Sequence, residues 1–227
     1  MVGLRSMLLL SLAGCASHSF LAPEERGALV RDYAGTDAQL FLKLSYFVTP
    51  FFGDSTKRLL TALPPEELPT PPGPVEAVLP AGTRVRILRL EFPTGWSARE
   101  RSPATPRTQP WVFLRAVAAS TEVPLVLVLR DGISSRDEFH AEMERYLCVE
   151  DPARELAAWP ETVQQAIREK AARLDMSAEA LERAWGYPAT KEMSFDGTTK
   201  NEVWIYPGGK RRAQLVDGRV SQLDDPR

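Results

Sequence analysis

LDMSAEALERAWGYP, residues 174–188, is the stretch from which the fold is best read. Ser177 stands where an N-cap side chain accepts an amide of the first helical turn, and Glu179 lies in that turn, where the helix dipole favours a negative charge. Leu181, Ala184 and Trp185 share one helical face. Gly186 can take the left-handed conformation that stops a helix, and Pro188 prevents its resumption. Downstream the period changes to two. Thr190 to Phe195 reads as a strand, and Asp196-Gly197 as a hairpin turn. Asn201 to Tyr206 alternates, with Val203 and Ile205 on one face and Trp204 and Tyr206 on the other. Pro207-Gly208-Gly209 turns the chain, Arg211 to Val216 forms a third strand, and Arg219-Val220-Ser221 follows Asp217-Gly218 as a short fourth. The tail from Asp224 should fray. Upstream, Trp159-Pro160-Glu161 opens another helix with Pro160 at its first position and a stripe of Val163, Ala166, Ile167 and Ala171. Residues 159–223 therefore predict an α+β unit, two helices followed by a β-meander.

Residues 135–158 read as a connecting helix. Ser135-Arg136-Asp137-Glu138 fits a capping box, and Phe139, Met143, Tyr146 and Leu147 lie on one face. His140 and Cys148 flank that stripe, but two residues cannot make a zinc site, which needs three or four ligands. Residues 81–134 read as β-structure. The first strand runs from Thr83 to Phe92, with an alternation that slips between Ile87 and Leu88 and allows a bulge. The second runs from Pro110 to Val117, and Val123 to Leu129 is apolar enough to be buried on both faces. The start Leu79-Pro80-Ala81-Gly82-Thr83, the long first loop and the Trp111-containing strand are similar to small antiparallel Src-homology-3-type barrels of bacterial envelope proteins, which implies a β-barrel-like domain. The loop at 94–110 carries Trp96, Arg99, Arg101 and Arg107. Either these hold an anionic partner, or the loop is solvated and Trp96 folds back on the barrel.

Residues 64–80 contain seven prolines and should be extended. They read as a linker, or as an ordered strap over the next domain. Residues 15–63 read as a tether followed by an apolar helical segment from Asp37, with Leu40, Phe41, Leu44 and Phe47 at helical spacing. The apolar run 40–52 lacks the basic face of an interfacial helix, so packing on the neighbouring domain is the expectation over contact with a bilayer.

Residues 1–14 carry Arg5, a short apolar run and the small residues Ala13-Gly14, the order of a secretory signal peptide. Cys15 follows directly. Leu12-Ala13-Gly14-Cys15 resembles the lipobox of bacterial lipoproteins. The resemblance implies cleavage between Gly14 and Cys15, a lipid on the Cys15 thiol, and anchoring in the cell envelope; Ala16 favours the periplasmic face of the outer membrane. Two or more acyl chains make such anchoring stable.

The C-terminal unit resembles the BamE-like (SmpA/OmlA) domain of outer-membrane lipoproteins. Met176-Ser177, Leu181, Trp185-Gly186-Tyr187-Pro188, Asp196-Gly197, Glu202-Val203-Trp204-Ile205-Tyr206 and Asp217-Gly218-Arg219-Val220 carry the likeness; Asp175 departs from it, standing where the family has Gly. The resemblance implies outer-membrane assembly or maintenance.

A net charge of −2 supplies no basic field for nucleic acid. Two cysteines, one of them in the lipobox, leave no disulfide framework and no cysteine metal cluster. G-x-S-x-G, H-E-x-x-H, Walker and Rossmann patterns are absent, so no catalytic residue, metal or cofactor is expected beyond the lipid on Cys15. The reading is a non-enzymatic interaction or scaffold module with a protein partner in the envelope. Its candidate surfaces are Trp96, Arg99 and Arg101 on the loop, and Tyr187 and Tyr206 on the meander; Trp185 and Trp204 are expected in the core. The alternative is a peptidoglycan-binding lipoprotein that uses the small barrel, and a carboxylate-dependent hydrolase is the third possibility.

Overall fold

The chain lays down two sheets in the computed structural model, which describes residues 21–34, 38–117 and 122–225. Cys15 and the signal peptide lie outside the described residues. The larger sheet is built from β1 (Leu40–Leu42), β2 (Tyr46–Phe51), β3 (Asp54–Thr61), β4 (Ala77–Leu79), β5 (Arg84–Glu91), β6 (Trp111–Ala116), β7 (Leu125–Val128) and β8 (Leu147–Cys148). Their order is β4-β2-β3-β7-β6-β5-β1-β8. Neighbours are antiparallel except β3 and β7, which run parallel.

Alternation gives this sheet two apolar faces. Leu60, Val112, Leu114, Leu125 and Leu127 belong to one core, which α1 (Pro23–Ala34) and α3 (Arg136–Tyr146) cover with Leu29, Phe139 and Met143. Phe51, Leu59, Trp111, Phe113 and Val126 form a second core on the opposite face. Burial on both faces explains why residues 40–52 are mostly apolar or aromatic. That run is not a helix, contrary to the expectation from its spacing: Leu40 and Phe41 lie in β1, Phe47 in β2, and Leu44 in the bend between them. Tyr46, Phe47, Val48 and Thr49 are aromatic or β-branched and suit a pleated surface. Phe52 and Gly53, with φ of 51° and 86°, make the two-residue turn into β3.

Residues 64–80 are the strap rather than a break between folds. They leave β3, make a short 3-10 turn at Pro65–Glu67, and return as β4 on the far side of β2. Strands from 15–63 and from 81–134 thus share one sheet. The three strands expected in 81–134 are present as β5, β6 and β7, with the bulge between Ile87 and Arg89. They do not close into a small barrel, because the outer edge of β7 pairs with β3 instead. Residues 135–158 are not one helix. Ser135 caps α3, its hydroxyl accepting the Glu138 amide at 3.2 Å, while the Glu138 carboxylate reaches back chiefly to the Ser134 amide at 2.7 Å, with the Ser135 amide a lesser donor. The chain then adds β8 beside β1 and turns through α4 (Ala153–Ala157).

The C-terminal unit is helix, helix and meander: α5 (Glu161–Arg168), α6 (Ala178–Trp185), then β9 (Thr190–Asp196), β10 (Thr199–Ile205), β11 (Arg212–Val216) and β12 (Arg219–Asp224) in consecutive antiparallel order. The Ser177 hydroxyl accepts the Ala180 amide at 3.2 Å. Gly186 has φ 88°, and a Cβ there would sit 3.3 Å from Ala62, the residue after β3, so the helix stop is also a close approach. Pro160 is the cap residue rather than the first helical residue, and β12 extends through Asp224 where fraying was expected.

The two units are joined by buried polar contacts. α5 ends with Lys170 in the left-handed region at φ 56°; its amide returns to Ile167 and that of Ala171 to Ala166, a Schellman motif without glycine. The Lys170 side chain is 1 % exposed. Its ammonium donates to the carbonyls of Ser45 (2.7 Å) and Ala184 (3.0 Å), the latter in the last turn of α6, where a cation is favoured. The Ser45 hydroxyl donates to the Ile167 carbonyl at 2.6 Å and accepts the Ala81 amide. Arg211, fully buried, meets Glu67 of the strap at 3.1 Å.

Lys170→Ala should lower the unfolding free energy by about 3 kcal/mol, because two buried carbonyls lose their donor at roughly 1–3 kcal/mol each. Lys170→Gly should cost about 1 kcal/mol less, since glycine adopts positive φ without strain. Urea unfolding measures both; equal losses would remove the backbone from the account.

Candidate functional site

A cleft opens at the parallel pair β3 and β7. Paired up to Leu60 and Leu127, the two strands then separate. After β3 the chain passes to the strap, whose Leu68 packs on the Phe51–Trp111 face. After β7 it passes to α3 on the opposite face. A crevice opens where adjacent parallel strands send their chains to opposite faces at their carboxyl ends, the placement that favours ligand sites in open sheets. Here it has a volume of about 460 Å³, within the range of roughly 300–1,000 Å³ for small-molecule sites.

One wall is the loop that follows β5. Arg101 holds it. Its guanidinium donates to the carbonyls of Arg107 (3.0 Å) and Gln109 (2.9 Å), lies 3.4 Å from Glu91, and stacks 3.7 Å from the Trp111 ring centre. The Trp111 indole donates to the Pro106 carbonyl at 3.0 Å. Pro103 to Pro106 and Gln109 are thereby fixed against the cleft, opposite Leu68, Pro69 and Thr70 of the strap. The floor is aliphatic, with Leu59, Leu60, Leu127 and Leu129.

At one end Tyr46 and Tyr146 line the cleft. Tyr146 donates to the Glu142 carboxylate at 2.9 Å; Glu142, itself buried, also contacts Arg130 and Arg145 at 3.6 Å each. Tyr46 is 1 % exposed, and its hydroxyl finds no hydrogen-bond partner. Burial pushes both phenols above the ordinary range, with the Glu142 charge adding to the effect.

The residues singled out from the sequence do not converge. Trp96 is 71 % exposed just ahead of the short helix α2 (Ser97–Glu100), so it does not fold back on the sheet, and Arg99 is exposed on that helix. Arg101 is buried and committed to the loop. Tyr206 is a core residue, 1 % exposed and packed edge-on to Trp185 at 5.1 Å; its alternation with Trp204 turns it toward α6, not outward. Tyr187 is half-buried, donating to the Arg145 carbonyl at 3.2 Å. Trp185 and Trp204 are buried. Nothing local marks Tyr46, whose neighbours have helical spacing, and no local pattern announces that β3 and β7 pair.

A second crevice, about 830 Å³, contains Cys148 with Lys43, Glu150, Asp151 and Arg183. The Cys148 thiol contacts the Glu150 carbonyl at 3.3 Å, and burial raises its pKa, the opposite of an activated nucleophile. His140 shares a 2.6 Å hydrogen bond with Tyr33. Among the described residues no group of three or more His, Cys, Asp or Glu is placed to hold a metal ion.

Burial is the first cause of a raised pKa at each of Tyr33, Tyr46, Tyr146, Tyr187 and Tyr206, all five tyrosines of the chain. A phenol raised in the folded state contributes stability that is complete below its ordinary pKa of 10.0 and is lost as pH rises toward the folded value. The urea midpoint should therefore fall above about pH 10, and phenolate absorbance should appear together with unfolding; tyrosines that titrate near 10 in a folded protein would contradict this.

Comparison of the chain with protein-family models, curated proteins and solved structures returns no match.

Proposed function

We propose that this protein is a lipid-anchored lipoprotein of the bacterial envelope that acts as a non-enzymatic binding module. The observation that carries this reading is the order Leu12-Ala13-Gly14-Cys15 after a short apolar run. No helix among the described residues is long and apolar enough to cross a membrane. Attachment through acyl chains on Cys15 needs none. The helix–helix–meander order of α5, α6 and β9 to β12 supports the likeness to BamE-like domains, and with it a role at the periplasmic face of the outer membrane in assembly or maintenance. A binding role suits the chemistry present: a neutral thiol at Cys148, a buried carboxylate at Glu142 already tied to two arginines, and an exposed aromatic anchor at Trp96 beside Arg99. Large exposed aromatics often anchor protein interfaces. The peptidoglycan reading called on Arg99 and Arg101 together, and Arg101 is occupied within its own loop.

Mass spectrometry of the mature protein from envelope membranes should find Cys15 at the N-terminus, carrying acyl groups. Cys15→Ser should move the protein out of the lipid-anchored fraction. An unmodified Cys15 in a freely soluble mature product would overturn the proposal.

A further inference from the structure

The cleft between β3 and β7 is closed on two sides by proline-rich segments and floored by side chains that share one chemistry. Leu59, Leu60, Leu63, Leu68, Leu127 and Leu129 are all branched aliphatics, and the prolines of both walls add further hydrocarbon. Such a surface gains by excluding water and returns no hydrogen bond to a polar occupant. Polar side chains line it too, among them Thr61, Thr70, Thr105, Gln109 and Tyr146, but one polar group is both buried and unpaired. The Tyr46 hydroxyl is buried at the end of the cleft without a partner, and native proteins rarely leave a buried hydroxyl unpaired. A hydroxyl in that position can donate to an acceptor on a bound molecule.

The charges nearby decide what kind of acceptor. Glu142 is 3 % exposed and holds Tyr146, which lines the same end. Arg130, at the rim, is within 3.5 Å of Glu138 and 3.6 Å of Glu142, so its positive charge is already answered. A free carboxylate would enter beside a cluster whose charges already answer one another, Glu138 and Glu142 against Arg130 and Arg145, and would lose its hydration without an unpaired cation among the described residues of the cleft to meet it. An uncharged carbonyl carries no such cost.

We infer that this cleft binds a single hydrocarbon chain bearing a neutral carbonyl, an acyl ester or amide, with the Tyr46 hydroxyl donating to that carbonyl and the six leucines enclosing the chain. The site does not depend on anchoring through Cys15, and the two proposals fail separately: a full chain carrying Cys15→Ser should bind as well as the native one.

The test is calorimetric titration of the full chain, free of detergent, with a medium-chain monoacylglycerol and with the free fatty acid of equal length at neutral pH. The monoacylglycerol should bind saturably at one site, and the fatty acid at least about tenfold more weakly. Leu63→Trp should abolish binding by filling the cleft. Tyr46→Phe, which removes one oxygen and leaves the ring, should weaken the monoacylglycerol about fivefold, the effect of one hydrogen bond. If Leu63→Trp fails to fold, as circular dichroism would reveal, the Tyr46→Phe ratio still decides. Absence of monoacylglycerol binding, or binding unchanged by Tyr46→Phe, would overturn the inference. Equal binding of the fatty acid would overturn the neutral acceptor.

Discussion

The two sheets are fixed to each other by a buried ammonium. Lys170 is inaccessible to water, yet it carries a charge into the junction and places it between a carbonyl of the first unit, Ser45, and one of the second, Ala184. Removing a charge from water is costly, and the cost is offset only where several acceptors are presented in the right geometry. That requirement makes the contact an orienting one. A shift of α6 against the Ser45 segment by even a few tenths of an ångström would lengthen both bonds together. Ser45 reinforces the pose from the other side through the Ile167 carbonyl and the Ala81 amide, and the Arg211–Glu67 pair repeats the arrangement at the strap. The conformation of Lys170 follows from the same demand. Glycine would end α5 with less strain, but it has no side chain to reach the junction.

The strap owes its order to this junction. A segment with seven prolines can donate few backbone hydrogen bonds and has little means of fixing itself. Here it is held at one end by β3, at the other by β4 beside β2, and in the middle by Glu67 against Arg211 and by Leu68 against the sheet. The opposite wall of the cleft is held in a comparable way. Arg101 is the only link between the loop carbonyls of Arg107 and Gln109, the Glu91 carboxylate and the Trp111 ring that the described contacts show, and it uses its planar fork for all of them. Two segments of low intrinsic order thus become ordered walls because charged side chains hold them: Arg211, just before β11, ties the strap to the second unit, and Arg101 ties its loop to β5 and β6 of the larger sheet.

Legibility in the sequence followed the range of the interactions involved. The cap at Ser177, the stop at Gly186, the bulge after Ile87 and the meander from β9 to β12 are set by neighbours in the chain, and the local pattern predicts each of them. The strands at 40–51 imitate a helix in sequence for a physical reason. A run buried on both faces has no alternation to reveal its period, so leucines and phenylalanines at chance spacings imitate a helical stripe. The candidate surface suffered similarly. Arg101 and Tyr206 carry the right chemistry for binding, and nothing in the residues beside them shows that a loop carbonyl or a facing tryptophan already occupies them.

By itself, then, the sequence determined the class of the fold, the construction of the C-terminal unit and the lipid-anchoring expectation at Cys15, since all of these are written in short-range patterns. The tertiary structure alone decided that the proline-rich segment is a strap, that β3 and β7 run side by side, and that Tyr46 lies at the end of a leucine-lined cleft. These depend on pairing between residues 67 positions apart, as in Leu60 with Leu127, and on which faces remain after each sheet has been covered. No local rule of spacing or propensity contains that information, because it arises only when distant segments compete for the same buried surface.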